Sequence, residues 1–295
     1  MRQHGVRRLG ALIATIAVAG SADARATAPT EMVRFAPHRA VYEITLERAA
    51  SGSGVVELAG RMVYELQGSR CEGYTQNMRF VTQVMSQDGT EQLNDLRTSS
   101  WEDGAGKRLR FNSEQYRDRK LAESTTGDAR RPADGGDTVV QVAKPEKQSL
   151  TIPARYLFPM QQSEALVRAA RGGERQLAVG IYDGSEKGTK AYETSAWIGG
   201  PRSELQPKDP KSLTGITSWP VSIAYFEPAQ AAKDSVPSYE LSFRIFANGV
   251  STDMVIDYGE FAVRGELKEL TFLSQSSCEA GTSSAAGAKP GPKGK

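Results

Sequence analysis

Apolar and polar residues alternate with a period of two along most of the chain beyond its N-terminal segment. In HRAVYEITLER, for example, Ala40, Tyr42, Ile44 and Leu46 fall on one face of an extended strand. Similar segments recur between turn sequences such as Asp183-Gly184. Many antiparallel strands with few helices predict an all-β fold, built as a barrel, a sandwich or a similarly coiled sheet.

The clearest single unit is a hairpin in SYELSFRIFANGVSTDMVIDYG, because Asn248-Gly249 separates two alternating segments. A two-residue turn at this position predicts a register in which the apolar residues of both strands share one face. The predicted pairs are Ala247 with Val250, Ile245 with Thr252, Phe243 with Met254, Leu241 with Ile256, Tyr239 with Tyr258, and on the other face Arg244 with Asp253 and Ser242 with Val255.

One segment has helical character. Pro159 suits a helix start and Gly172-Gly173 suits an end, so we predict a helix over Met160–Arg171. It is expected to cover one end of the core, with a lid over a cavity as the alternative. Thr125–Asp137, rich in Gly and Asp, is predicted to be a loop or a long hairpin tip, and the Pro-rich Pro201–Gly215 is predicted to be an irregular connection.

The N-terminus has the three parts of a secretory signal peptide. Arginines precede a short apolar run, and Ala22-Asp23-Ala24 forms a cleavage site, with Ala24-Arg25-Ala26 as an alternative. The apolar run is too short to span a bilayer. We therefore predict a signal peptide over 1–24, one β-domain over 25–278 and a disordered tail rich in Gly, Ala, Lys and Pro over 279–295. No later stretch is apolar enough for a transmembrane helix, and the mature chain is expected to be soluble and exported.

Charge excludes one class of partner. Residues 1–24 hold three arginines and one aspartate, so 34 basic and 34 acidic side chains remain of the 37 and 35 in the whole chain. A balanced chain has no overall field that would attract nucleic acid. We expect no nucleic-acid partner.

The two cysteines, Cys71 and Cys278, lie 207 residues apart. This separation rules out a CxxC redox motif and a cysteine-based zinc site. Two cysteines in an oxidising compartment tend to pair, so export favours a Cys71–Cys278 disulfide, with two free thiols as the alternative. In the disputed chain-entropy account, a bridge across so long a loop stabilises by roughly 5 kcal/mol.

Catalytic patterns are missing from the sequence. His38 is the only histidine beyond the signal peptide, and a strand-edge or capping role explains it without catalysis. The segment GSEKGTK, Gly184–Lys190, lacks phosphate-loop spacing and is predicted to be a hairpin tip. We predict no enzyme activity, no catalytic residues, no metal and no cofactor.

Aromatic residues offer the remaining candidates for a ligand site. Core packing is the first expectation for all of them, and an apolar groove for a lipid, an acyl chain or an extended peptide is the alternative. No individual ligand-binding residue is predicted. The aromatic residues in strand-like segments are Trp101, Trp197 and Trp219, and those in the C-terminal third are Tyr225, Phe226, Tyr239, Phe243, Phe246 and Tyr258.

The order of several segments resembles the EipB family of alphaproteobacterial cell-envelope integrity proteins. The resemblance covers about Arg34 to Glu279 and rests on no single diagnostic motif. It also includes the positions of the two cysteines. The segments are APHRAVYEITLERAASGSGVVELAGRMVYEL, CEGYTQNMRFVTQ, SSWEDGAGKRLRFN, LFPMQQSEALVRAARGGE and ELTFLSQSSCE.

This resemblance implies a periplasmic protein folded as a long antiparallel sheet, coiled as an open barrel-like β-spiral. It implies that the family's disulfide maps onto Cys71 and Cys278, and it implies no enzymatic activity. The expected function is to maintain the envelope under stress by binding envelope proteins or peptides. The alternative is a carrier of a lipid or other apolar ligand in a β-lined cavity, and a hydrolase of envelope polymers is the third hypothesis.

Overall fold

A computed structural model describes residues 32–228 and 236–275 of the chain. They form a fifteen-stranded sheet with the order β8-β7-β6-β5-β4-β3-β2-β1-β15-β14-β13-β12-β11-β10-β9. The strands are β1 (His38–Ala49), β2 (Val55–Ser69), β3 (Gly73–Ser86), β4 (Glu91–Glu102), β5 (Arg108–Arg117), β6 (Lys120–Arg130), β7 (Thr138–Lys144), β8 (Gln148–Ile152), β9 (Tyr156–Leu157), β10 (Gln176–Ile181), β11 (Tyr192–Ile198), β12 (Ser218–Phe226), β13 (Tyr239–Phe246), β14 (Ser251–Asp257) and β15 (Phe261–Phe272).

The sheet coils until it is nearly closed into a barrel. Its two edge strands, β8 and β9, are consecutive in the chain, so the short link between them brings the edges together. All pairs are antiparallel except β9 with β10. The described residues also contain helix α1 (Pro159–Arg171) and two short 3-10 helices, Glu186–Gly188 and Lys211–Leu213. The predicted coiled all-β fold and the predicted helix are both confirmed.

Side chains close the seam between the two edges. Leu109, Val140 and Ile152 from one side pack in a buried cluster with Tyr156 and Tyr182 from the other. Because this cluster spans the gap that the hydrogen-bond ladder leaves, it replaces the missing strand pairing by apolar packing.

Arginine adds polar contacts at the same seam. The Arg131 guanidinium donates to the carbonyl oxygens of Gly106 at 3.1 Å and Tyr156 at 2.7 Å. It thereby joins the β4–β5 turn to edge strand β9.

The period-two pattern assigns the faces of the sheet correctly. Ala40, Tyr42 and Ile44 are buried on the inner face of β1, where they pair with residues of β2 and β15. Both neighbours are present, so β1 is a central strand. His38 at its start is 1% exposed, which makes the expected edge role wrong.

The predicted hairpin register is correct away from the turn and wrong next to it. Leu241 pairs with Ile256 as expected, but Ile245 pairs with Ser251 instead of Thr252. The turn spans three residues and places Gly249 at φ +88°. A bulge between the two strands then absorbs the extra residue at Asp253, whose φ is 53°, and restores the expected register.

The other connections agree with the sequence in part. Pro201–Gly215 is irregular apart from one 3-10 turn, and Gly184–Lys190 forms the connection from β10 to β11, as predicted. The predicted loop over Thr125–Asp137 is wrong in its first half, because β6 continues to Arg130. Gly127 belongs to this strand, where a Cβ atom would lie 2.2 Å from the ring of Phe111.

Three predictions concern residues outside the described ranges. The signal peptide over 1–24, the tail over 279–295 and the position of Cys278 all remain predictions. The extent of the single domain over 25–278 remains a prediction as well.

Candidate functional site

Helix α1 lies inside the coiled sheet and fills one end of its interior. Its buried residues lie on more than one side of the helix and include Met160, Leu166 and Val167. They share a buried cluster with Leu66 of β2 and Trp219 of β12, which belong to distant parts of the sheet. A helix that packs on several sides is a plug of the interior and not a surface cover.

A buried carboxylate fixes the start of this helix. Glu102 at the end of β4 is 1% exposed, and its two oxygens accept the backbone N–H groups of Met160 at 2.7 Å and Gln161 at 3.1 Å. Burial raises the pKa of Glu102 to about 8, while the two N–H donors and the nearby Arg131 oppose that rise. These bonds satisfy two of the N–H groups that every helix start leaves unpaired.

Beyond α1 the inner face keeps apolar side chains that no described residue covers completely. They come from β1 and β3 on one side and from β13 and β14 on the other, and each is only partly buried. The strand pairing places them on the same face as the buried core residues. We call this surface the inner basin and define it by Leu46, Met78, Phe80, Leu241, Met254 and Ile256.

Next to the basin the inner face becomes polar. Met78 of β3 pairs with Thr98 of β4, which pairs with Ser113 of β5, which in turn pairs with Thr125 of β6. Thr125 is 1% exposed, so the hydroxyl groups of Thr98 and Ser113 are the ones in this row that a ligand in the interior would meet. The interior therefore offers hydroxyl groups beside the apolar inner basin.

A cluster of tyrosines stands near the basin. Tyr225 and Tyr239 stack with ring centroids 4.3 Å apart, and Tyr192 contacts them edge-on at 6.1 and 6.0 Å. Burial raises the pKa of both Tyr225 and Tyr239. Their phenols stay neutral at physiological pH and offer rings and hydroxyl groups without charge.

The expectation that the aromatic residues pack in the core is correct for some and wrong for others. Trp219 and Phe246 are buried. Trp197 is 54% exposed and Tyr258 is 42% exposed. Trp101 is partly exposed on the outer face.

Of the two cysteines, Cys71 lies in the turn between β2 and β3, and Cys278 lies outside the described residues. The chain after β15 runs toward that turn, since Leu273 and Ser274 line the same cavity as Glu72 and Gly73. This course is compatible with the predicted disulfide, which stays a prediction.

The remaining candidate elements within residues 32–228 and 236–275 have structural roles or do not form a site. His38 is buried against Tyr64, its Nδ1 lies 2.7 Å from the Ala36 carbonyl oxygen, and burial lowers its pKa. Over the same ranges, no three His, Cys, Asp or Glu side chains are grouped as metal ligands would be. The helices described there include none with the length and apolarity to cross a membrane.

Comparison with known proteins identifies the family. The sequence profile described as EipB-like matches residues 29–274. The chain belongs to the EipB-like family. One relative, the cell envelope integrity protein EipB of Brucella abortus (strain 2308), is 37% identical over 251 residues, which cover 84% of this chain and 88% of the relative.

A solved structure supports the architecture of this EipB-like chain. The crystal structure of a beta-barrel-like protein of domain of unknown function DUF1849 from Brucella abortus aligns with a TM-score of 0.76 at 36% identity. The alignment covers 82% of this chain and 100% of that one. The resemblance expected from the segment order is thus confirmed, together with the barrel-like fold.

The sequence did not reveal the inner basin or the role of Glu102. Alternation identified the inward-facing residues, yet it carries no information on which of them the helix covers. Glu102 looks like an ordinary charged residue at a strand end, and only the folded chain places it beneath α1.

Proposed function

We propose that this EipB-like chain is a non-enzymatic periplasmic protein that helps to maintain the cell envelope, and that its inner basin binds the acyl chain of a lipid. The relative named cell envelope integrity protein and the predicted signal peptide support the first part. The second part rests on one observation, the partly exposed apolar residues of the inner face.

In a filled core, residues such as Phe80 and Ile256 would lose almost all contact with solvent, as Ile44 does at 1% exposure. These side chains pack against the buried cluster on one side, and their partial exposure leaves the rest of their apolar surface in contact with solvent. Covering it with an acyl chain gains about 0.8 kcal/mol for each CH₂ group that leaves water. The hydroxyl groups of Thr98 and Ser113 lie next to the apolar wall and suit the polar end of such a ligand.

The test uses the mature protein and the fluorescent fatty acid cis-parinaric acid. Phe80→Lys places an ammonium group in the inner basin, and we expect the dissociation constant to rise about tenfold or more. The matched control is Val81→Lys, because Val81 is the next residue of the same strand and points to the outer face. We expect the control to bind like the wild type.

Equal loss of fatty-acid binding in both variants would show that a lysine in β3 acts through stability and not through the basin. No binding of the probe by the wild-type protein would refute the acyl-chain proposal. Native mass spectrometry of protein recovered from the periplasm provides a second measurement, since a bound lipid adds its own mass.

A second candidate function is the binding of an envelope protein or peptide. It is favoured by edge strand β8, which within the described part of the chain pairs with β7 alone. An edge strand has backbone groups that an extended peptide can pair with. A photocrosslinker at Ser149 on β8 should trap a strand-pairing partner, whereas the same group at exposed Thr45 on central strand β1 should not.

A further inference from the structure

A row of short polar side chains crosses the outer face of strands β3 to β6. The register aligns Asn77, Ser99, Asn112 and Thr126 in this row. Ser99 donates to Asn77 Oδ1 at 2.8 Å, and Thr126 donates to Asn112 Oδ1 at 2.9 Å. With strands about 4.8 Å apart, the row is about 14 Å long.

Longer side chains flank the row and turn it into a groove. On one side stand Trp101 and Arg110, with the guanidinium carbon 5.5 Å from the indole centroid. On the other side stand Arg97 and Arg79. We call this feature the outer groove, and a cavity of about 520 Å³ lies along it, lined by Trp101, Arg110, Asn112 and Thr126 among others.

Trp101 is held in a fixed orientation at one end of the outer groove. Its Nε1 donates to the carbonyl oxygen of Glu72 at 3.3 Å. The ring packs so closely on Gly73 that a Cβ atom there would lie 2.8 Å from the indole. A second cavity of about 460 Å³ on the far side shares Trp101 and Thr75 with the first, so the indole lies between two hollows.

The outer groove carries an excess of positive charge. Asp128 pairs with Arg108 and Arg130, whereas Arg110 stays 58% exposed and 3.6 Å from that carboxylate. Five arginines face four acids across the groove and its flanks: Arg79, Arg97, Arg108, Arg110 and Arg130 against Glu65, Asp95, Glu114 and Asp128.

We propose that the outer groove binds a glycan strand that carries carboxylate groups. The apolar face of a sugar ring packs on a fixed indole, and its hydroxyl groups exchange hydrogen bonds with Ser, Thr and Asn side chains. The exposed Arg110 supplies a charge-assisted bond to a carboxylate. Strands β3 to β6 are paired on both sides, so the groove offers no free edge to a peptide strand.

The probe for this proposal is peptide-free peptidoglycan glycan strands, in which each muramic acid carries a carboxylate. Binding is measured by thermophoresis on the mature protein, with neutral chitohexaose as the comparison glycan. We expect Trp101→Ala to weaken binding of the acidic strands about tenfold. The matched control is Trp197→Ala, which removes another exposed tryptophan, 54% exposed on β11, and should bind like the wild type.

Two further variants keep the test decisive if Trp101→Ala folds poorly. Asn112→Leu blocks the polar row at an exposed position, and we expect it to weaken both glycans. Arg110→Gln should weaken the acidic strands and leave chitohexaose unchanged.

Unchanged binding in Trp101→Ala or Asn112→Leu, or no binding by the wild type, would overturn the proposal. Equal affinity for the two glycans would overturn the preference for carboxylates. Binding of cis-parinaric acid serves as an independent readout, because the outer groove and the inner basin lie on opposite faces and these variants should leave fatty-acid binding intact.

Discussion

A buried ion pair holds the long connection between β11 and β12 against the outer face of the sheet. Arg244 of β13 and Asp209 of the connection form a salt bridge in which their side chains are 2% and 3% exposed. The Nε atom of Arg244 also reaches Asp253 at 3.2 Å, and its guanidinium carbon lies 5.0 Å from the Phe246 ring centroid. The pair anchors Pro201–Gly215 where the chain has almost no secondary structure.

Neutralising one partner of this pair should be costly. Asp209→Asn keeps the shape of the side chain but leaves the Arg244 charge buried without its main counterion. Breaking a buried pair in this way costs about 3 to 5 kcal/mol. For a chain of this size, each kcal/mol lowers the melting temperature by roughly 2 to 4 °C, so we expect a fall of roughly 10 °C.

Urea unfolding of the wild type, Asp209→Asn and the double variant Asp209→Asn with Arg244→Met measures the cost of the unpaired buried charge. We expect the double variant to be more stable than Asp209→Asn, because it removes the stranded charge. Glu266→Gln in β15 is the control, because it removes the ion pairs with Lys208 of the same connection and with Lys268. Its partner Lys208 is 74% exposed, so this loss should cost less than about 1 kcal/mol.

The explanation fails if Asp209→Asn costs no more than Glu266→Gln. It also fails if the double variant is less stable than Asp209→Asn alone. Either result would mean that packing of the connection, and not the ion pair, holds it in place.

Three other predictions follow from the structure. Glu102→Gln should be most destabilising near pH 4.5 and less so toward pH 8. The pKa of Glu102 is about 8 in the folded chain against 4.5 in the unfolded chain, so the wild type loses stability across that range. A destabilisation by Glu102→Gln that grows with pH in urea titrations would contradict this. Cys71→Ser should lower the melting temperature by roughly 10 °C under oxidising conditions if Cys71 pairs with Cys278, and an unchanged value would exclude the disulfide. Gly127→Ala should cost about 1 to 3 kcal/mol through overlap with the Phe111 ring, and adding Phe111→Leu should recover part of the loss in a double-mutant cycle.

Local rules in the sequence predicted the strands and the helix, whereas the family was expected from the resemblance of the segment order. Alternation is a direct consequence of strand geometry, so the inward position of Ala40, Tyr42 and Ile44 followed from the residues alone. The ends of α1 followed from Pro159 and Gly172 for the same reason, since both act within one turn of the helix.

The errors in hairpin register and strand bounds arose where tertiary packing or a different turn length overrode the preference of the local sequence. Asn248-Gly249 fits a two-residue turn, yet the chain forms a three-residue turn and corrects the register with a bulge at Asp253. Gly127-Asp128 reads as a loop, but the glycine is needed in β6 because Phe111 occupies the space of a side chain. The second outcome depends on Phe111, which is not a neighbour of Gly127 in sequence.

The two proposed sites could not be predicted from the sequence for a different reason. Each depends on how completely neighbouring side chains cover a residue in the folded chain. Phe80 has the same alternating context as buried Ile44 and belongs to the same apolar cluster, which contains no residue of α1, yet Phe80 is only partly buried. The plug therefore has two consequences. It packs with strands as far apart as β2 and β12 at one end of the interior, and it does not reach the partly exposed apolar residues of the inner basin that belong to the other cluster. A longer helix would bury the inner basin and remove the lipid site, so we expect the length of α1 to set the capacity for an acyl chain.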